Sequence, residues 1–272
     1  MLISARSLYH YQDNMITSTS NAQVKNLVQL MKKSKLRTEQ GVYVVEGIKM
    51  FQEAPREEIV KVYLSEELYE KGTLSESLSG LSFEVLKKDV FAHAAETKTP
   101  QGVLCIMRQK TYTLEELTKG EQPLLLVLEN LQDPGNLGTM MRTAEGAGVT
   151  GVILSRGCVD IYNPKTIRST MGSVYRVPFL YTDDLSETMD QLHEKGITTY
   201  AAHLKGKDYY DGASYREPTA FLIGNEGNGL SDEISAKAKQ YLKIPMEGKL
   251  ESLNAAVAAA ILMYEAFRQR RK

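Results

Sequence analysis

Three stretches of this chain concentrate side chains able to do chemistry. The first, ENLQDPGNLGTMMRTAEGAG at 129–148, carries Asn136 and Arg142 six residues apart across a turn and a helix start, so both can address one substrate. The second, GNEGNGL at 224–230, sets Glu226 and Asn225 among three glycines. The third, IPMEGKLESLN at 244–254, offers the hydroxyl of Ser252 and the amide of Asn254 at the mouth of the last helix, with Leu253 turned inward. Glycine lacks a Cβ, so Gly224, Gly227, Gly229 and Gly248 are expected to take positive φ and let a ligand lie against bare backbone. Asn136 and Gly138 are expected to adopt unusual φ as well. Taken alone, the first loop reads as a strand–helix turn with a solvated arginine. Three such loops together suggest a cofactor cradle.

Several chemistries fall away at once. The glycine order of the second loop is G-x-x-G-x-G, not the G-x-G-x-x-G of a dinucleotide fold, and the chain has no GxxxxGK[ST]. No histidine lies in any of the three loops, which excludes a Ser-His-Asp hydrolase. His10, His93, His193 and His203 share no metal-ligand spacing, so no metal is expected. Cys105 and Cys158, outside any CxxC pattern, read as buried reduced thiols.

The loops need strands to deliver them. From Leu124 the apolar runs become continuous, as in parallel strands buried on both faces. Strands are expected at 124–128, 151–154, 177–180, 198–201, 220–223 and 241–244, with helices at 137–147, 164–171, 185–195, 232–239 and 254–269. This is a doubly wound parallel sheet of five or six strands, which places ligands beyond the carboxyl ends of its strands. The small-residue run 255–260 lets the last helix approach a neighbour closely, in its own sheet or across a subunit interface.

Upstream, shorter strand-like and helix-like runs alternate: 42–46, 48–54, 59–64, 66–71, 83–86, 89–95 and 103–107. They predict a small α/β domain at 15–108, then a polar linker at 109–122 and the parallel-sheet domain at 123–272. Ser20 and Gln23 suggest a capping box opening a helix with Val24, Leu27, Val28 and Met31 on its apolar stripe. Lys25, Lys32, Lys33, Lys35 and Arg37 crowd that region with no acidic residue between 15 and 38, and Arg268, Arg270, Arg271 and Lys272 close the chain. The formal net charge is only −1, so a nucleic-acid partner would meet local basic patches. Residues 1–14 have neither periodicity nor a secretion signal's apolar centre; they predict a disordered tail or an extension upstream of a start at Met15, in a cytoplasmic chain. No run is long enough to span a membrane.

In that order and at those separations, N-x-x-D-P-x-N-x-G-x-x-x-R-x-A, G-N-E-G-x-G and I-P-M-x-G-x-x-x-S-L-N resemble the signature motifs of the SpoU/TrmH family of RNA ribose methyltransferases, in the knotted SPOUT class. The segment NPKTIRSTMGSVYRVPF at 163–179 resembles the family too. Residues 15–107, with the VVEG at 44–47, are similar to the substrate-binding domain of many members, akin to a kink-turn-binding ribosomal protein. The resemblance implies S-adenosylmethionine, 2′-O-ribose methylation, a homodimer and a C-terminal trefoil knot. It implies Gly224, Ile244 and Leu253 at the cofactor, with the neighbouring loop residues Asn225 and Met246. Asn136, Arg142, Glu226, Ser252 and Asn254 would line the reacting ribose.

A guanidinium stays protonated at any ordinary pH, so Arg142 is expected to stabilise the developing alkoxide rather than act as a base. Glu226 either orients Arg142 or pairs with a loop amide. RNA, with ribosomal RNA favoured over transfer RNA, is expected to approach over Lys165, Arg168, Arg176 and the lysine helix. Alternatives are a transfer-RNA substrate, base methylation, a non-catalytic RNA-binding protein on the same fold, and a nucleotide-dependent dehydrogenase.

Overall fold

The computed structural model describes residues 15–203, 206–250 and 252–271; the expected tail at 1–14 lies outside them. By contacts the chain divides into two compact units, one running up to Lys110 with Tyr162–Arg168 and the other comprising Thr111–Ile161 and Ser169–Lys272.

In the first unit, α1 (Ala22–Lys32) and α2 (Ser34–Gln40) precede β1 (Val42–Glu46), α3 (Ile48–Glu53), β2 (Ile59–Ser65), α4 (Glu66–Glu70), α5 (Ser75–Leu78), β3 (Phe83–Leu86), α6 (Lys88–Ala94) and β4 (Val103–Arg108). The sheet order is β1-β4-β2-β3; β4 runs antiparallel to both neighbours, while β2 and β3 are parallel. Val24, Leu27 and Leu30 of α1 are fully buried against Tyr63, Leu86, Phe91 and Leu104. The α1 cap is Asn21, whose side chain accepts from Gln23 N at 2.8 Å, so the box expected at Ser20 does not form. The lysine helix is in fact two helices, parted at an extended Lys33. Arg37 does not join the basic face: it is 3% exposed and donates to Leu30 O and Met31 O, covering carbonyls that the end of α1 leaves open.

In the second unit, α7 (Leu114–Leu117) precedes β5 (Leu124–Leu128), α8 (Pro134–Gly146), β6 (Gly151–Ser155), β7 (Phe179–Thr182) and α10 (Leu185–Glu194); α9 (Pro164–Thr170) falls between β6 and β7 in sequence, with its residues up to Arg168 grouped with the first unit. Then come β8 (Thr198–Ala202), β9 (Asp208–Tyr209), β10 (Thr219–Ile223), α11 (Asp232–Lys237), β11 (Gln240–Lys243) and α12 (Ala255–Arg270). The sheet has seven strands, β7-β6-β5-β10-β8-β11-β9, all parallel; the five or six expected omitted the two-residue β9. Buried side chains of β5, β6 and β10 meet those of α10 and α11 on one side, and α12 packs on α8 and β10. The segment read as a linker holds α7, and its Leu117 is fully buried in this core, touching the position where Gly151 would carry a Cβ.

β11 lies between two strands that are consecutive in sequence. Ala202 of β8 and Asp208 of β9 both pair with Leu242, one on each side. Parallel neighbours normally need a crossover of about a dozen residues. Here only residues 203–207 separate β8 from β9, and both run parallel to β11 between them. Gly206 makes the step possible: a Cβ there would lie 2.9 Å from Leu242 C and 3.0 Å from Lys243 N. Placing that backbone on backbone requires glycine.

If 111–117 belongs to this core, Leu117→Ala removes a fully buried side chain and costs about 3 kcal/mol. Urea unfolding followed by circular dichroism measures it; a loss below about 1 kcal/mol would make the segment a surface tether.

Candidate active site

All seven strands being parallel, the loops after β5, β10 and β11 leave the same edge of the sheet. The loop after β10 is a tight hairpin closed by reciprocal bonds between Asn225 and Gly229, N to O at 3.0 and 2.9 Å. Gly229 has φ 69°, while Gly224, Gly227 and Gly248 do not have positive φ. Gly224 is glycine for another reason: a Cβ would fall 2.0 Å from Gly229 C and 2.1 Å from Leu230 N. It is therefore packed against its own loop. The Asn225 side chain accepts from Gly227 N and Asn228 N and donates to Asn130 O at 2.8 Å, holding the tip and tying it to the first loop.

At that tip Glu226 reaches the start of α8. Its carboxylate accepts from Gln132 N at 3.0 Å, Asp133 N at 2.9 Å and Asn136 Nδ2 at 3.1 Å. Of the two partners expected, Glu226 takes the loop amides and not Arg142. Partial burial pushes the Glu226 carboxyl up, but the hydrogen bonds from Asp133, Gln132 and Asn136 outweigh it and hold the group below its ordinary value. Asp133 caps α8, accepting from Asn136 N at 2.7 Å, with Pro134 at the first turn. The helix thus starts three residues earlier than expected, and Asn136 and Gly138 are helical.

The third loop joins through Asn254, whose Nδ2 donates to Asn136 Oδ1 at 3.0 Å. Its own Oδ1 caps α12, accepting from Ala256 N and Val257 N. Glu226, Asn136 and Asn254 form one hydrogen-bonded relay across three loops.

The remaining expected residues are placed as follows. Arg142 is exposed on α8 and makes no hydrogen bond or ion pair among the described residues. It lies six helical positions after Asn136, which is about 9 Å along the axis and about 120° around it. The structure does not bring it into the relay. Ser252 is exposed and makes no hydrogen bond among the described residues. Ile244, Met246 and Leu253 are half-buried, and Gly224 is buried. Arg176 is bound to Glu145, which also accepts from Ser173 Oγ at 2.5 Å, and Arg268 to Glu265. Arg270 is half-buried and spent on the carbonyls of Tyr215, Gln122 and Glu217. A groove of about 510 Å³ lined by Lys207, Asp208, Lys239 and Tyr241 lies at the entry to β11 and includes none of the three loops.

Sequence reasoning passed over Glu129. It is 7% exposed, and its carboxylate takes Ser231 N and Ser231 Oγ, each at 2.7 Å. A carboxylate directly after the apolar LLLVL of β5 was the available signal, since such a group at a buried strand end needs donors.

The seven-stranded parallel sheet, with its late strand set between two earlier ones and its loops gathered at one edge, defines a SpoU-like α/β fold. The chain belongs to the SpoU rRNA methylase family: the model of that family matches residues 123–264, and that of an MRM3-like substrate-binding domain matches 21–105. It is 35% identical over 250 residues to the 23S rRNA (guanosine(2553)-2′-O)-methyltransferase RlmP of Bacillus subtilis, covering 92% of this chain and 97% of that one. An AdoMet-bound rRNA methyltransferase from Sinorhizobium meliloti superposes with a TM-score of 0.83 at 29% identity, covering 95% and 98% of the two chains. A crystal structure of an RNA 2′-O ribose methyltransferase gives 0.80 at 31% identity, covering 94% and 99%.

Replacing Glu226 by Gln removes the charge from three hydrogen bonds, and charge-assisted bonds contribute about 1.5–3 kcal/mol. Amide exchange at Gln132 and Asp133 should accelerate by about tenfold or more, with β5 and β10 amides unchanged. Because the folded carboxyl lies below its ordinary value, this protection is complete above about pH 4.3 and lost as the pH falls through the folded value. Nuclear magnetic resonance exchange rates unaltered in the variant would show the amides to be held by something else.

Proposed function

We infer that this chain transfers the methyl group of S-adenosylmethionine to a ribose 2′-hydroxyl of RNA, with ribosomal RNA as the substrate class. The observation that carries the reading is the Glu226–Asn136–Asn254 relay, which unites the three family motifs. The residues fit this cofactor: Ile244, Met246 and Leu253 give half-buried apolar surface for an adenosyl group, and Gly224 and Asn225 give loop backbone. None of the five is a cation that would demand a phosphate. When bound, the sulfonium supplies an already reactive methyl group. What the chain must do is place the 2′-oxygen, manage its proton and exclude water.

Asn136 and Asn254 are assigned to positioning; Asn136 spends one N–H and its carbonyl on the relay and Asn254 one N–H, which leaves each a second N–H for a ribose hydroxyl. Glu226 is assigned to holding Asn136 and the α8 amides, and Ser252 to the ribose edge. Arg142, kept charged, stabilises the developing alkoxide, while an RNA phosphate or water takes the proton. Support for ribosomal RNA comes from the length of the likeness to the Bacillus enzyme, which spans both units.

The working unit we propose is a homodimer. Val257, Tyr264 and Phe267 of α12 are 49, 48 and 36% exposed, a large apolar surface for one helix. The Tyr264 hydroxyl lies 2.9 Å from where Gly146 of α8 would carry a Cβ. Arg142 is one turn before Gly146 on that side of α8, so it belongs to the same face and serves the relay of the other copy. The insertion of β11 between β8 and β9 supports the trefoil knot expected of the class.

The deciding measurement is a map of 2′-O-methyl positions in total RNA with and without the protein; identical maps would end the reading. Arg142→Ala and Asn136→Ala should each lower turnover by about a hundredfold or more, the scale of one lost transition-state donor. A heterodimer of the two variants should recover up to half of wild-type turnover, because one of its sites is complete. No recovery would mean that Arg142 acts within its own chain.

A further inference from the structure

Three arginines among the described residues are not exposed: Arg37, Arg168 and Arg270. Arg37 ends on two backbone carbonyls and Arg270 on three. Arg168, in α9, is different: its Nη1 is shielded from solvent and has no hydrogen-bond partner among the described residues. A guanidinium cannot shed its charge, so a shielded, unanswered N–H is a standing cost unless an acceptor arrives. The helix around it is otherwise tightly packed, with Thr166 and Thr170 at 0% and Ile167 at 1% exposure.

The surroundings indicate which acceptor. From 163 to 176 the chain carries Lys165, Arg168 and Arg176 and no aspartate or glutamate. Arg176 is answered by Glu145, and Lys165 is exposed. Directly after α9, Met171 and Gly172 both take positive φ, 51° and 95°. Met171 is one of only two non-glycine residues to do so among the described residues, and its side chain is held 40% exposed. A run of positive charge with no carboxylate of its own suits a phosphate oxygen as that acceptor.

We infer that Arg168 is held open for one phosphate oxygen of the RNA backbone, and that Arg176, named beside it on sequence grounds, is not part of that contact. The inference rests on the chain's being an RNA methyltransferase. It makes Arg168 a substrate-positioning residue, felt in KM more than in kcat.

The test is fluorescence anisotropy of a labelled oligouridylate over a potassium chloride series, with thermal unfolding and S-adenosylmethionine affinity measured on the same proteins. Arg168→Met should weaken RNA binding on the order of tenfold and flatten the log–log salt slope by about 0.7, the value of one single-strand phosphate contact. Its Tm should hold or rise, since an unanswered donor has gone, and cofactor affinity should not move. Arg168→Gln gives the same slope change and stands in should the Met variant fail to fold, while Arg176→Gln gives a smaller one. An unchanged slope overturns the inference. So does a fall in Tm together with a lower oligomeric state, which would assign the acceptor to a carboxylate of a second copy. If wild-type protein binds RNA with its slope reduced by Arg168→Met yet transfers no methyl group, only the assignment of function fails. If it methylates and the slope is insensitive to Arg168, only this inference fails.

Discussion

The site depends on one carboxylate. Glu226 sits at the tip of a five-residue hairpin and binds two consecutive amides, Gln132 N and Asp133 N, at the entry to α8. The start of a helix carries partial positive charge from unpaired N–H groups, so an ionised side chain there is favoured twice, by hydrogen bonding and by the helix field. The third acceptor contact, to Asn136 Nδ2, fixes which way round that amide lies and leaves its oxygen to receive Asn254. The orientation of Asn254, and with it the cap of α12, follows from a charge 28 residues earlier in the chain.

Around this lies a second constraint, purely steric. Gly224, Gly206 and Gly151 each sit where backbone or a core side chain leaves no room for a Cβ. Gly224 lets the hairpin fold back on its own base, Gly206 lets the chain pass across β11, and Gly151 admits Leu117 of α7. None of the three needs positive φ. Glycine serves here through its missing volume more than through its backbone freedom.

The sequence carried more of this than local pattern alone could explain. Continuous apolar runs such as LLLVL marked buried parallel strands, and β5 at Leu124–Leu128 is buried throughout. The start of α8 was missed because Leu137 was read as the first periodic residue, although Asp133-Pro134 is a cap followed by a first-turn proline. β9 was missed because two residues have no period to read. α7 was missed and its segment read as a polar linker, since a single buried turn gives no repeating stripe. For the site, residue types and spacing pointed to the loops, whereas the direction of each contact was not legible. Glu226 chose amides over a guanidinium for reasons of hairpin geometry, and Arg37, Arg176 and Arg270 were all drawn into local bonds that a count of basic residues does not reveal.

The position of β11 bears on how such a protein comes into being. β8 and β9 are synthesised before β11, on either side of a gap that residues 240–243 fill. Until they arrive, two strand edges face each other with unpaired N–H and C=O groups, the kind of surface that recruits foreign strands. A growing polypeptide can therefore finish the outer half of its sheet, β7-β6-β5, well before the inner half has a stable form. Asn254 comes later still, so the relay closes only once β11 has filled that gap, and a nascent chain stalled before that point keeps its strand edges exposed to aggregation.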